Sequence, residues 1–127
     1  MATDGSWTTT TRCFYPLEVM VLEAVAAQHP AERSQLLGQF RSACVTSRRN
    51  SGAGFFTDFH VDWRQAAPVS MPGPIGHVWG VVVGFESSMV FLVFMRDGYA
   101  HMLEGALCGD GTTLHADFSR LGVTIET

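Results

Sequence analysis

An Asp-Gly pair, Asp97-Gly98, stands between two apolar runs, Met89 to Arg96 and Tyr99 to Glu104. A two-residue loop of this composition closes a β-hairpin in a type I′ turn, which asks for positive φ at both central residues. The turn also fixes the register. Arg96 is expected opposite Tyr99, Phe94 opposite His101, and Leu92 opposite Leu103. Ser87-Ser88 reads as a second tight junction, after the run His77 to Glu86. It would set Phe85 opposite Val90, Val83 opposite Leu92, and Val81 opposite Phe94. Sequential antiparallel strands of this kind form a meander.

Upstream of the meander the apolar period is helical. Leu17, Met20, Val21 and Ala24 recur at i, i+3, i+4 and i+7, and Pro16 suits the first helical position. The segment Leu17 to Ala27 is apolar nearly all round, so cover on more than one side is expected. A second helix is expected from Ala31 to Val45. Its buried stripe is Leu36, Leu37, Phe40 and Cys44, with Gln39 among the residues turned to water and Gly38 marking close approach to the first helix. Ser47 to Gly54 reads as a loop. The period then becomes two, with Phe55, Thr57, Phe59, Val61 and Trp63 alternating with Phe56, Asp58, His60 and Asp62. Three prolines make Gln65 to Gly76 irregular, and a short last strand is expected near Gly122 to Glu126. Helices first and strands after give an α+β domain: two N-terminal helices followed by an antiparallel four- to five-stranded meander. The 127 residues make a single domain. Met1 to Thr11 is polar, is expected to be flexible, and lacks the features of a targeting peptide.

The hairpin register sorts the strand residues into two faces. Phe85, Val83, Val81, Val90, Leu92, Phe94 and Leu103 are expected on one. Val78, Val82, Phe91, Val93, Met95 and Met102 are expected on the other, with Gly80, Gly84 and Glu104. Both faces are apolar, and two short helices can cover only one. A homodimer through Val78, Val82, Phe91, Val93, Met95 and Met102 is therefore expected.

Apolar residues make up 46% of the chain and charged ones only 16%, which excludes a disordered or coiled-coil chain. The formal charge of −4 argues against nucleic acid as partner. No apolar run approaches the roughly 18 residues of a membrane span. Cys13, Cys44 and Cys108 are odd in number and far apart, a pattern of reduced thiols in the cytoplasm.

His77, Trp79, Arg96, Tyr99 and His101 are expected together at one end of an apolar face. A cation, imidazoles and amphipathic aromatics there suit an anionic or planar ligand, or equally the wet rim of a core. Glu104, expected opposite Phe91, is either a desolvated acid with a raised pKa or a carboxylate held by loop N–H groups. Asp58, His60 and Asp62 alternate along one strand, as on a solvent face or at an oxygen- and nitrogen-rich metal site, and the solvent face is preferred. Arg48-Arg49 reads as an anion-binding turn or as charge at the end of a helix. Glycine-rich phosphate loops, zinc spacings and nucleophile elbows are absent from the sequence. No catalytic residue, metal or cofactor is assigned.

Two stretches carry a resemblance. Arg48-Arg49-Asn50-Ser51-Gly52-Ala53-Gly54-Phe55-Phe56-Thr57 resembles the "R-x-x-[ST]-G-x-G-F-[FY]-T" run of a family of small bacterial proteins. Phe91 to Gly98, followed by Leu103-Glu104-Gly105, is similar to that family's "F-x-L-F-x-x-[DN]-G … L-E-G" signature. After Leu-Glu-Gly the chain departs from the pattern, with Cys108-Gly109-Asp110-Gly111 in place of an acidic residue and Trp-Pro. The resemblance implies a small protein of immunity or accessory type. The resulting expectation is a non-enzymatic protein-interaction module. The alternative is a small-ligand-binding protein or enzyme built around His77, Arg96, Tyr99, His101 and Glu104, and convergence of these five on one cavity would favour it.

Overall fold

The computed structural model describes residues 14–126. Helix α1 spans Pro16–Ala27 and α2 spans Arg33–Ser42. Six strands follow: β1 Cys44–Asn50, β2 Gly54–His60, β3 Ile75–Val82, β4 Met89–Arg96, β5 Tyr99–Leu107 and β6 Val123–Ile125. They form one antiparallel sheet in the order β1-β2-β5-β4-β3-β6. The α+β class and the N-terminal helices agree with the sequence, whereas the sheet is wider than the four to five strands expected. The expected tail, Met1 to Thr11, lies outside the described residues, as does Cys13.

The extra strand is β1, at one edge, where a loop was expected. From Thr46 onward its residues are polar, and the strand is mostly exposed, so it carries no apolar alternation from which a strand could be read. Helix α2 is correspondingly shorter than its expected span. Cys44, expected in its buried stripe, instead opens β1 and is exposed. A Cβ at Gly38 would meet nothing within 4 Å, so this glycine does not mark a helix–helix contact.

Helix α1 buries Leu17, Glu18, Val21, Leu22, Val25 and Ala26, two adjacent rows four residues apart. Met20 lies outside this stripe and is 46% exposed. The stripe packs on β3, β4 and β6, while α2 packs on β5. The sheet face beneath the helices holds Val78, Val82, Phe91 and Val93, each 0–2% exposed. These were four of the six residues expected at a dimer interface. They are sealed within the single chain, and that interface is withdrawn. Met95 is half-buried against the same core, and Met102 is on the opposite face.

The reason for Met102 is a bulge. Asp97 and Gly98 have φ of 55° and 86°, and Arg96 faces Tyr99, as the turn chemistry requires. The next pairs are Met95 with Ala100 and Phe94 with Met102, so His101 is an extra residue in β5. That single insertion reverses the facing of the strand beyond it. Leu103 turns to the core, while Met102 and Glu104 turn outward beside Phe94 and Leu92. The Ser87-Ser88 turn is also corrected. Strand β3 ends at Val82, and Gly80 faces Met89, leaving a longer connection. Its displacement from the expected register is an even number of residues, so Trp79, Val81, Val90, Leu92 and Phe94 still share one face.

Candidate functional site

Among the described residues, no helix lies on that second face. Its cross-strand rows follow from the register. One row runs Trp79, Val90, Ala106. The next runs Leu92, Glu104, Phe56, Arg49, and the third runs Phe94, Met102, Asp58, Ser47. Val81 faces Thr124 at the far end. Trp79 and Val81 are 44% and 37% exposed, and Val90, Leu92 and Phe94 at the centre are half-buried. Solvated sheet faces ordinarily alternate to polar side chains. Here the strands β3, β4 and β5 present valine, leucine, phenylalanine and methionine instead.

Three charged residues sit on this face, Arg49, Asp58 and Glu104. Arg49 stacks over the Phe56 ring, 4.6 Å from its centroid, and approaches Asp58 Oδ2 at 3.9 Å. Glu104 lies between Leu92 and Phe56. Among the described residues its carboxylate has no hydrogen-bond or ion-pair partner. It is neither opposite Phe91 nor held by loop N–H groups, the two settings expected from the sequence.

A cleft of about 290 Å³ opens at one end of the sheet, lined by Phe59, His60, Trp63, Arg96, Tyr99 and His101 among others. It exists because β2 and β5 part company. Their ladder ends at Asp58 and Met102. Two residues on, the Ala100 N–H donates to Gln39 Oε1 of α2 at 2.9 Å instead of to β2. Burial depresses the His101 pKa, with Arg96 adding to the effect and Asp58 opposing it. The imidazole in this cleft is thereby biased to its neutral form. Arg96, Tyr99 and His101 thus come together as expected. His77 does not join them: it is an exposed bulge residue in β3 with φ of 54°. Trp79 faces Val90, away from the cleft, and Glu104 is a separate residue of the open face. Of the five residues whose convergence would favour a ligand site, three converge.

Arg48 and Arg49, adjacent in sequence, do different things. Arg48 lies on the core side and joins Glu18, which is 1% exposed. Glu18 Oε1 accepts from Arg48 Nη2 at 2.8 Å and from the Tyr15 N–H at 2.7 Å, and Oε2 accepts from Arg48 Nε at 3.1 Å and from Thr57 Oγ1. The guanidinium also stacks 3.5 Å over the Tyr15 ring. A buried carboxylate held by this many donors is a structural anchor between α1, β1 and β2. A cleft of about 240 Å³ adjoins it, lined by Arg49, Asn50 and Asp117 as well.

The two sequence motifs meet in space. A Cβ built on Gly54 would fall 1.9 Å from the Gly105 carbonyl oxygen, and one on Gly105 would strike Phe55 and Phe91. Asn50 Nδ2 donates to the Thr113 carbonyl at 2.6 Å, and Thr113 Oγ1 donates to Asn50 Oδ1 at 2.9 Å. These residue types are accounted for by close approach and hydrogen bonding. Asp58 and Asp62 likewise have local partners: Ser47 for the first, Arg64 and Gln65 for the second. Cys108 is a free thiol in the segment after β5.

Sequence reading missed Glu18 and Gln39 as buried anchors. The capping contact of Glu18 to Tyr15, across the first turn of α1, was the only signal for the former. Comparison of the chain with protein-family models, curated proteins and solved structures gave no match.

Proposed function

We propose that the protein is a non-enzymatic interaction module that docks a protein partner on the open face of its sheet. One observation carries this reading: the helices seal Val78, Val82, Phe91 and Val93, while no helix among the described residues lies over Trp79, Val81, Val90, Leu92 and Phe94 on the reverse face. Contiguous apolar surface rimmed by polar residues is a mark of interaction sites. The motif resemblance supports an immunity or accessory role. Cytoplasmic residence belongs to the same reading, supported by the free thiols of Cys44 and Cys108.

The test is a photo-crosslinking amino acid at position 92 or 94, with position 23 on the exposed side of α1 as control. In cells, a discrete adduct from 92 and 94 but not from 23 is expected. Equal labelling from all three positions, or none from any, would contradict the reading. The cleft at Arg96, Tyr99 and His101 favours a second reading, a small planar ligand. Saturable quenching of Trp63 fluorescence by such a ligand, lost in Tyr99→Ala, would support it.

A further inference from the structure

Resting on the docking reading above, we infer that the occupant of the open face is an amphipathic helix of another protein, carrying an arginine or lysine at its centre to meet Glu104. The size of the face argues for a helix. Four strands about 4.8 Å apart and four rows about 7 Å apart make a patch roughly 20 Å on a side. A helix of about 14 residues spans that length. The resulting area of about 400 Å² is half of the roughly 800 Å² per partner of a standard interface. It matches one added element better than a second globular chain. A helix here would also complete the pattern that α1 and α2 begin on the reverse face.

Charge selects among helices. Glu104 lies in the row Leu92, Glu104, Phe56, at the middle of the apolar field, without a partner among the described residues. A purely apolar occupant would strip water from this carboxylate and give nothing back. A guanidinium or ammonium would pair with it in a desolvated centre, where truncating either member is costly. A second copy of the chain is disfavoured by the same group. An isologous contact centred on this patch would run its two-fold axis past Glu104 and bring the two Glu104 carboxylates together. The formal charge of −4 adds to that repulsion and draws a basic partner.

The probe is a pair of 18-residue amphipathic helical peptides with leucine and phenylalanine on one face and a single central arginine. In one peptide citrulline, a neutral isostere, replaces the arginine. Calorimetry gives affinities, and amide shifts report where the peptide sits. The arginine peptide should bind the wild type about tenfold more tightly than the citrulline peptide and shift Leu92, Phe94 and Phe56. In Glu104→Gln that preference should disappear. Equal affinity of the two peptides for the wild type, with shifts on the open face, would overturn the cation requirement and leave the docking reading intact. Failure of both to bind would overturn both. Light scattering supplies the other arm: the wild type should be monomeric at 100 μM and Glu104→Leu should self-associate. A wild-type dimer dissociated by Leu92→Asp would make the second copy the occupant and overturn the inference.

Discussion

Gln39 shows how one polar side chain can organise a region. It is fully buried, its amide donates to the Ala67 and Gly98 carbonyls at 2.9 Å each, and its carbonyl accepts from Ala100. The residue thereby ties α2 to the proline-rich loop and to the β4–β5 turn, and it satisfies the N–H that β2 abandons. Gln39→Leu keeps the bulk but orphans these groups, so a loss of about 3 kcal/mol is expected. Urea denaturation would check it, an unchanged midpoint being the contrary result. Neither Gln39 nor Glu18 was legible as an anchor, because periodicity counts apolar positions and assigns polar ones to water. Only tertiary partners distinguish a buried glutamine from a solvated one. His101 gives a pH prediction. Its folded pKa lies below the ordinary 6.5, so the unfolded chain takes up the proton first and stability falls as pH drops through 6.5. The loss is complete below the depressed folded value. Between pH 7.5 and 5.5 the wild-type midpoint should fall further than that of His101→Gln. Equal falls would count against burial of the imidazole.

At the scale of elements, turn chemistry was the most legible feature and polar edges the least. Asp97-Gly98 forms the turn its composition implies. Gly98 is held twice, by its φ of 86° and by Pro68, whose Cβ would lie 2.8 Å from an added methyl. Gly98→Ala should therefore cost about 2 kcal/mol, the left-handed backbone alone accounting for roughly 1–2. A chevron or equilibrium melt matching the wild type would remove this account of the hairpin. The bulge at His101 was not legible, since nothing in an apolar alternation says where one residue is skipped. Its effect was large: it moved Met102 and Glu104 to the open face and Leu103 to the core. Strand β1 escaped notice because Ser47, Arg48, Arg49 and Asn50 look like loop residues. Arginines on an edge strand, with the register irregularity between Val45 and Ser47, also guard that edge against pairing with other chains.

At the scale of the molecule, the sequence revealed two apolar faces and too few helices to cover both, and the structure decides which one is covered. The face expected to meet a second copy is sealed by α1 and α2, and the face expected to be core is left open among the described residues. Adjacent residues of β4 separate the two most sharply: Leu92 points outward beside Glu104, and Val93 points inward with 0% exposure. Equilibrium denaturation of Leu92→Asp and Val93→Asp, side by side, tests this directly. Val93→Asp buries an unpaired carboxylate under the helices and should abolish the folded state. Leu92→Asp should fold, with a loss of about 1 kcal/mol or less. Unfolding of Leu92→Asp to the same degree as Val93→Asp would mean that both faces are covered in the native protein, and would contradict the account of an open docking face.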